Sequence, residues 1–200
     1  MIYLIGIGHP LQWNRNVEGL NTFIADFEKK AKELRITFIG EEWSEEATRY
    51  NNNESIFKEA ANRLGISYRA CDATMAERVA IGERPREIIR QQLRLDRPKT
   101  VQEIGEQQFL IKREEIKDYK YRENYWIQKI LDETHEEMLF ILGLEHISES
   151  NKHMWEALWK ANNADLATLP ESQGFDLLLQ QHGYQTTYLN NIFSGYKATL

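Results

Sequence analysis

The chain has 200 residues, 42% of them hydrophobic, and a formal net charge of -6, enough apolar material for the core of one domain. That acidic balance argues against general nucleic-acid binding, which needs a basic surface to neutralise phosphates, but leaves room for a local basic patch. A single cysteine, Cys71, excludes an intramolecular disulfide and a thiolate metal cage.

No stretch is long enough to span a bilayer. The N-terminal apolar run is short, broken by glycine and without the basic flank of a signal peptide. A cytoplasmic protein with no membrane association is the expectation.

The chain opens with Met1-Ile-Tyr-Leu-Ile-Gly-Ile-Gly-His9, an apolar run suited to a strand covered on both faces. Pro10 should end it and begin a loop carrying Trp13 and Asn14. A helix follows, with Val17, Leu20, Phe23, Ile24, Phe27, Ala31 and Leu34 forming one stripe. Ile36 to Ile39 reads as a second strand, leading through Gly40 to Glu41 and Glu42. Ser44 can cap a helical turn and Asn53 a fresh helix bearing Ile56, Phe57, Ala60, Ala61 and Leu64. Gly65 stands where such a helix closes. Ile66 to Ala70 reads as a third strand, running into Cys71 and Asp72.

From Thr74 to Arg122 the chain turns densely charged. Pro85 is placed to start a helix reaching about Leu95, and Thr100-Val-Gln-Glu103 has capping-box form. A long helix to about Thr134 then buries Ile116, Tyr119, Trp126, Ile127, Ile130 and Leu131. Met138-Leu-Phe-Ile-Leu-Gly-Leu-Glu-His146 nearly repeats the opening motif. A helix over residues 151–161, a polar loop with Pro170, a helix from Phe175 to His182 and a strand over residues 185–189 complete the order, before a loosely docked tail. The pattern predicts one α/β domain over residues 1–200, a mostly parallel sheet flanked by helices, with residues 74–122 as a charged helical insertion or cap.

Both copies of the motif read as a strand followed by Gly-x-x-His, with glycine marking a sharp turn. Parallel strands would bring His9 and His146 to one sheet edge, where open α/β sheets build their sites. Glu41, Glu42 and Asp72 follow the other strands, although Asp72 suits a helix N-cap equally well. Imidazoles with carboxylates and no sulfur suit Mn, Co or Zn in an open site, where a spare glutamate could act as base. Gly6-x-Gly8 opens a dinucleotide fingerprint, but Leu11 stands where its third glycine should be, so no nucleotide cofactor is expected. Cys71 is better read as a small buried hydrophobe than as a nucleophile.

Two basic features carry further expectations. Arg122 precedes Trp126 by one turn, so it either faces inward to a carboxylate or substrate anion, or pairs on the surface with Glu123 or Asp118. Arg86, Arg90, Arg94 and Arg97 fall on one face of a single helix at their spacing. They form either an ordinary solvated face or a rim where Arg90 and Arg94 bind substrate.

The paired Gly-x-x-His strands, the glutamate after the second strand and Arg122-Glu-Asn124 before the second motif resemble the Tiki/TraB superfamily. Erythromycin esterases and ChaN-like proteins are its distant relatives. The resemblance implies a hydrolase-like α/β fold whose site combines His9, one of Glu41 and Glu42, Arg122 and His146. It also implies a metal-dependent peptidase or an esterase as the activity. The chain departs from that pattern in Leu144-Glu145 before His146, where small residues are usual. The expected function is a metal-dependent hydrolase of a small molecule or peptide, with His9 and His146 as metal ligands. The alternative is a sensor that binds a small anion in the same pocket without turning it over.

Overall fold

The computed structural model describes residues 1–131, 136–169 and 174–189. Thr134, Pro170 and the tail from residue 190, for which the sequence carried expectations, lie outside them. Five strands, β1 (Ile2–Ile7), β2 (Phe38–Glu41), β3 (Ser67–Ala70), β4 (Met138–Gly143) and β5 (Thr186–Tyr188), form one sheet in the order β3-β2-β4-β1-β5. Every neighbouring pair is parallel. The two motif strands lie side by side, one residue out of step with the motif itself: Ile2 is opposite Met138 and Gly6 opposite Leu142, so Gly143 faces Ile7.

Side chains alternate across a strand, and this alternation divides the core in two. Ile5, Ile7, Ile39, Leu139 and Ile141 pack against α2 (Leu20–Glu33) and α4 (Ile56–Leu64). Phe23, Phe27 and Phe57 meet there at ring-centroid separations of 5.0 to 6.5 Å. Ile2, Leu4, Phe38, Met138, Phe140 and Leu142 pack on the opposite face, against α7 (Val101–Leu131) and α9 (Phe175–Gln181). Trp126 of α7 is fully buried there, against Phe140 and Phe175. A third cluster joins α7 to α8 (Ser148–Ala161) through Phe109, Ile116, Tyr119, Trp155 and Trp159.

The connections place the site. After β1 and β2 the chain leaves toward the α2/α4 face, by way of α1 (Pro10–Trp13) and α3 (Glu45–Asn51) respectively. After β4, which lies between them, it leaves through α8 toward the other face. Adjacent strands whose chains depart to opposite faces open a crevice at their C-terminal ends. His9, Glu42 and His146 follow the three strands that border it.

Several local expectations are corrected. Pro10 starts the short helix α1, since its fixed φ suits a first helical turn. The following helix begins at Leu20, after Gly19 at φ 75°, and so leaves out Val17. Strand β2 lies two residues later than its apolar run, because Glu41 is buried within it. Ser55, with its Oγ accepting from Phe57 N, caps α4 in place of Asn53. Thr74 and Glu77 form a reciprocal capping box on α5 (Met75–Ala80), so Asp72 is free of capping duty. The helix after Pro85, α6 (Arg86–Gln92), stops short of Leu95, and Arg94 has left it at φ 52°. The expected arginine stripe therefore does not lie along one helix. The capping box at Thr100 and Glu103 is present as read.

Candidate functional site

The two glycines of the motif do not act as turns. Gly6 lies inside β1, and Gly143 has φ -62° and ψ 141°, open to any residue. Space explains Gly143 better. A Cβ there would lie 3.3 Å from both Glu42 Oε2 and His9 Nε2. The position is small because the Glu42 and His9 side chains cross it.

Glu41 and Glu42 point to opposite faces, as consecutive residues of an extended chain must. Glu41 is fully buried on the α2/α4 face and accepts from Gln12 Nε2 (2.8 Å), Ser55 Oγ (2.8 Å) and the Tyr68 hydroxyl (2.7 Å). Burial pushes its carboxyl up to about 7, although those three donors pull the other way. Glu42 faces the crevice. Its Oε2 accepts from Gly143 N at 2.7 Å, and its Oε1 accepts from Arg122 Nη2 at 2.6 Å. Burial alone would raise its carboxyl, but His146, Arg122 and His9 outweigh burial and hold it below the usual range.

Both imidazoles turn toward that oxygen. His9 Nε2 lies 3.7 Å and His146 Nε2 3.6 Å from Glu42 Oε1. Each ring is held from behind, His9 Nδ1 by Gln12 Oε1 and His146 Nδ1 by Glu123 Oε1, both at 2.9 Å. His146 is fully buried between the rings of Tyr119 and Trp126, and its Nε2 has no hydrogen-bond partner. The His9 side chain is half exposed. Glu42 is the main cause of its raised pKa, against an opposing push from burial.

Arg122 settles between the acids. It is buried on α7 and also contacts Asp72, through Nε at 3.2 Å and Nη2 at 2.8 Å. Asp72 further accepts from Arg78 and Trp126 Nε1, and the arginines hold its carboxyl low despite burial. The inward alternative for Arg122 therefore holds. Glu123 serves His146 instead, and Asp118 serves Arg84. Arg122 Nη1 takes part in none of these bonds, and Arg122 lines a cavity of about 290 Å³ with Arg84, Arg86, Lys112, Tyr119 and Glu145 among others.

The sequence-predicted residues His9, Glu42, Arg122 and His146 thus come together. Glu41 stands behind them, and of the four only Arg122 lines the cavity; His9, Glu42 and His146 do not, nor do Arg90 and Arg94. Arg90 instead reaches Gln107 Oε1 at 3.0 Å. Gln12, Glu123 and Glu145 carried no sequence signal beyond closeness to His9, Arg122 and His146. Cys71 is fully buried, with its thiol pushed up by burial to about 12, as suits a core residue.

The donors that face one another, two imidazole nitrogens and a carboxylate oxygen, are the kind that Mn, Co and Zn accept. Both rings also have the hydrogen bond on the far nitrogen that metal-bound histidines use. Among the described residues, however, no group of three or more His, Cys, Asp or Glu side chains is placed to hold an ion. Arg122 already supplies a cation to Glu42 Oε1.

Comparison of the chain with family models, curated proteins and solved structures returned no match. No helix among the described residues is long and apolar enough to cross a membrane.

Proposed function

We propose that the chain is a hydrolase of ester or amide bonds, Tiki/TraB-like in its paired Gly-x-x-His motifs, and that a divalent ion assists it. One observation carries the reading: the Nε2 atoms of His9 and His146 lie 3.7 and 3.6 Å from the same oxygen of Glu42. Two imidazoles so oriented and a carboxylate held ionised can together accept, hold and return a proton at one point.

His9 is the side chain that solvent reaches, so it meets the attacking water and takes its proton through Nε2. Glu42, kept charged by Arg122, stabilises the imidazolium that results. His146 is anchored by Glu123 and closes the buried side of the site. Arg122 Nη1 faces the substrate as a clamp for a carboxylate or for the oxyanion that forms at the attacked carbonyl. With an ion bound, His9 Nε2, His146 Nε2 and Glu42 Oε1 would be its ligands and the His9 lone pair would no longer take the proton; Mn, Co or Zn would instead supply an activated water and polarise the carbonyl. The buried, unpartnered His146 Nε2 favours that assistance. The charged cavity beside Arg122 suits a small polar molecule or short peptide, and Arg90 and Arg94 remain outer candidates for meeting its anionic end.

The test is elemental analysis of the purified protein, followed by ester and peptide substrates with and without Mn, Co and Zn. Metal-stimulated turnover supports the proposal. Saturable binding of small carboxylates with no turnover under any metal would replace it with the sensor reading.

A further inference from the structure

His9 has two ring nitrogens, and only one arrangement of its neutral proton leaves a lone pair facing Glu42. The residues behind it decide which. Gln12 Nε2 lies 2.8 Å from Glu41 Oε1 and 3.1 Å from the Glu42 carbonyl oxygen. Both are acceptors, so the NH2 end of the Gln12 amide must lie there and its oxygen must turn to His9 Nδ1, at 2.9 Å. An amide oxygen only accepts, so Nδ1 must carry the proton and Nε2 the lone pair.

Glu41 cannot swing away from this task. Ser55 Oγ and the Tyr68 hydroxyl both donate to it, and Ser55 is itself fixed as the cap of α4. Gln12 is 1% exposed, so water does not compete for its amide. We infer that Gln12, oriented by Glu41 and the Glu42 carbonyl, is a positioning residue that sets the tautomer of His9. The second glutamate of the pair thereby acts on the site from the opposite face of the sheet, through one amide.

The tautomer belongs to the free protein, so it can be tested without any assay of hydrolysis. Its catalytic consequence alone rests on the hydrolase reading above. Long-range proton–nitrogen correlation spectra of nitrogen-15-labelled histidine rings, recorded at a pH high enough that the His9 nitrogen shifts no longer change, distinguish the two forms. Wild type is expected to show His9 protonated at Nδ1. Gln12→Met removes the acceptor and should move the proton to Nε2, toward Glu42. Glu41→Gln should keep the wild-type form, because its amide oxygen can still accept from Gln12 while its NH2 donates to Tyr68. Affinity for Zn2+ added alone should fall about 10- to 100-fold in Gln12→Met, the usual effect of losing such a support. A wild-type His9 protonated at Nε2 overturns the proposal, even if the Gln12 variant fails to fold. A folded Gln12→Met with the tautomer unchanged overturns it as well. A correct tautomer shift in a protein without turnover would instead count against the hydrolase reading.

Discussion

At the scale of single residues, Glu41 and Glu42 are neighbours with opposite electrostatics. Glu41 is buried among neutral donors and is raised to about 7, whereas Glu42 is buried among cations and lowered. A carboxyl whose folded pKa is raised favours folding in its neutral form. That contribution is complete below the usual 4.5 and is lost as pH rises through about 7. Relative to Glu41→Gln, wild type should therefore lose stability on the order of 3 kcal/mol between pH 4.5 and 8. Urea titrations at the two pH values measure this difference, and parallel curves would refute it. Gly143 leads to a second prediction. A methyl group there meets Glu42 Oε2 and His9 Nε2 at 3.3 Å, so Gly143→Ala should lower turnover at least tenfold. Its φ of -62° suits alanine, so stability should change by less than about 1 kcal/mol. Turnover and thermal unfolding of the same preparation check both halves. The sequence motif was legible here, but its reason was not, because spacing cannot distinguish a glycine needed for a turn from one needed for space.

At the scale of elements, α7 links the core to the site. Its apolar residues Trp126, Ile127 and Ile130 are buried against the sheet, and Arg122 one turn earlier lies between Glu42 and Asp72. Replacing it with Met would leave two buried carboxylates short of a cation, so Arg122→Met should destabilise the fold by about 3–5 kcal/mol. Denaturant unfolding at pH 7 gives that number, and a loss below about 1 kcal/mol would mean that the pairs contribute little. The periodicity of α7 was readable because its apolar residues recur at helical steps over many turns. The end of β2 was not, since a charged residue ordinarily terminates an apolar strand. Three donors from distant parts of the chain, at positions 12, 55 and 68, are what allow Glu41 to stay inside. The extent of α6 was misread for a related reason. Pro85 predicts where that helix begins, but Arg94 at φ 52° follows a terminus that carries no glycine signal.

At the scale of the whole molecule, the parallel sheet and the shared edge of the two motifs followed from two apolar runs and the alternation of strands with helices. Strand order did not, since it depends on which helices cover which face. Placing β4 between β1 and β2 is what brings His9, Glu42 and His146 to one point. The central claim is that these three side chains act on one reacting centre. Its most direct measurement is turnover of an ester or peptide substrate, with Mn, Co or Zn present, by wild type, His9→Ala, Glu42→Gln, His146→Ala and the double variant His9→Ala/His146→Ala. The account predicts that each single change lowers turnover by about a hundredfold or more and that the double variant is little worse than the poorer single, as for residues that act as a unit. Wild-type levels of turnover in any single variant, or losses that multiply in the double variant, would contradict it.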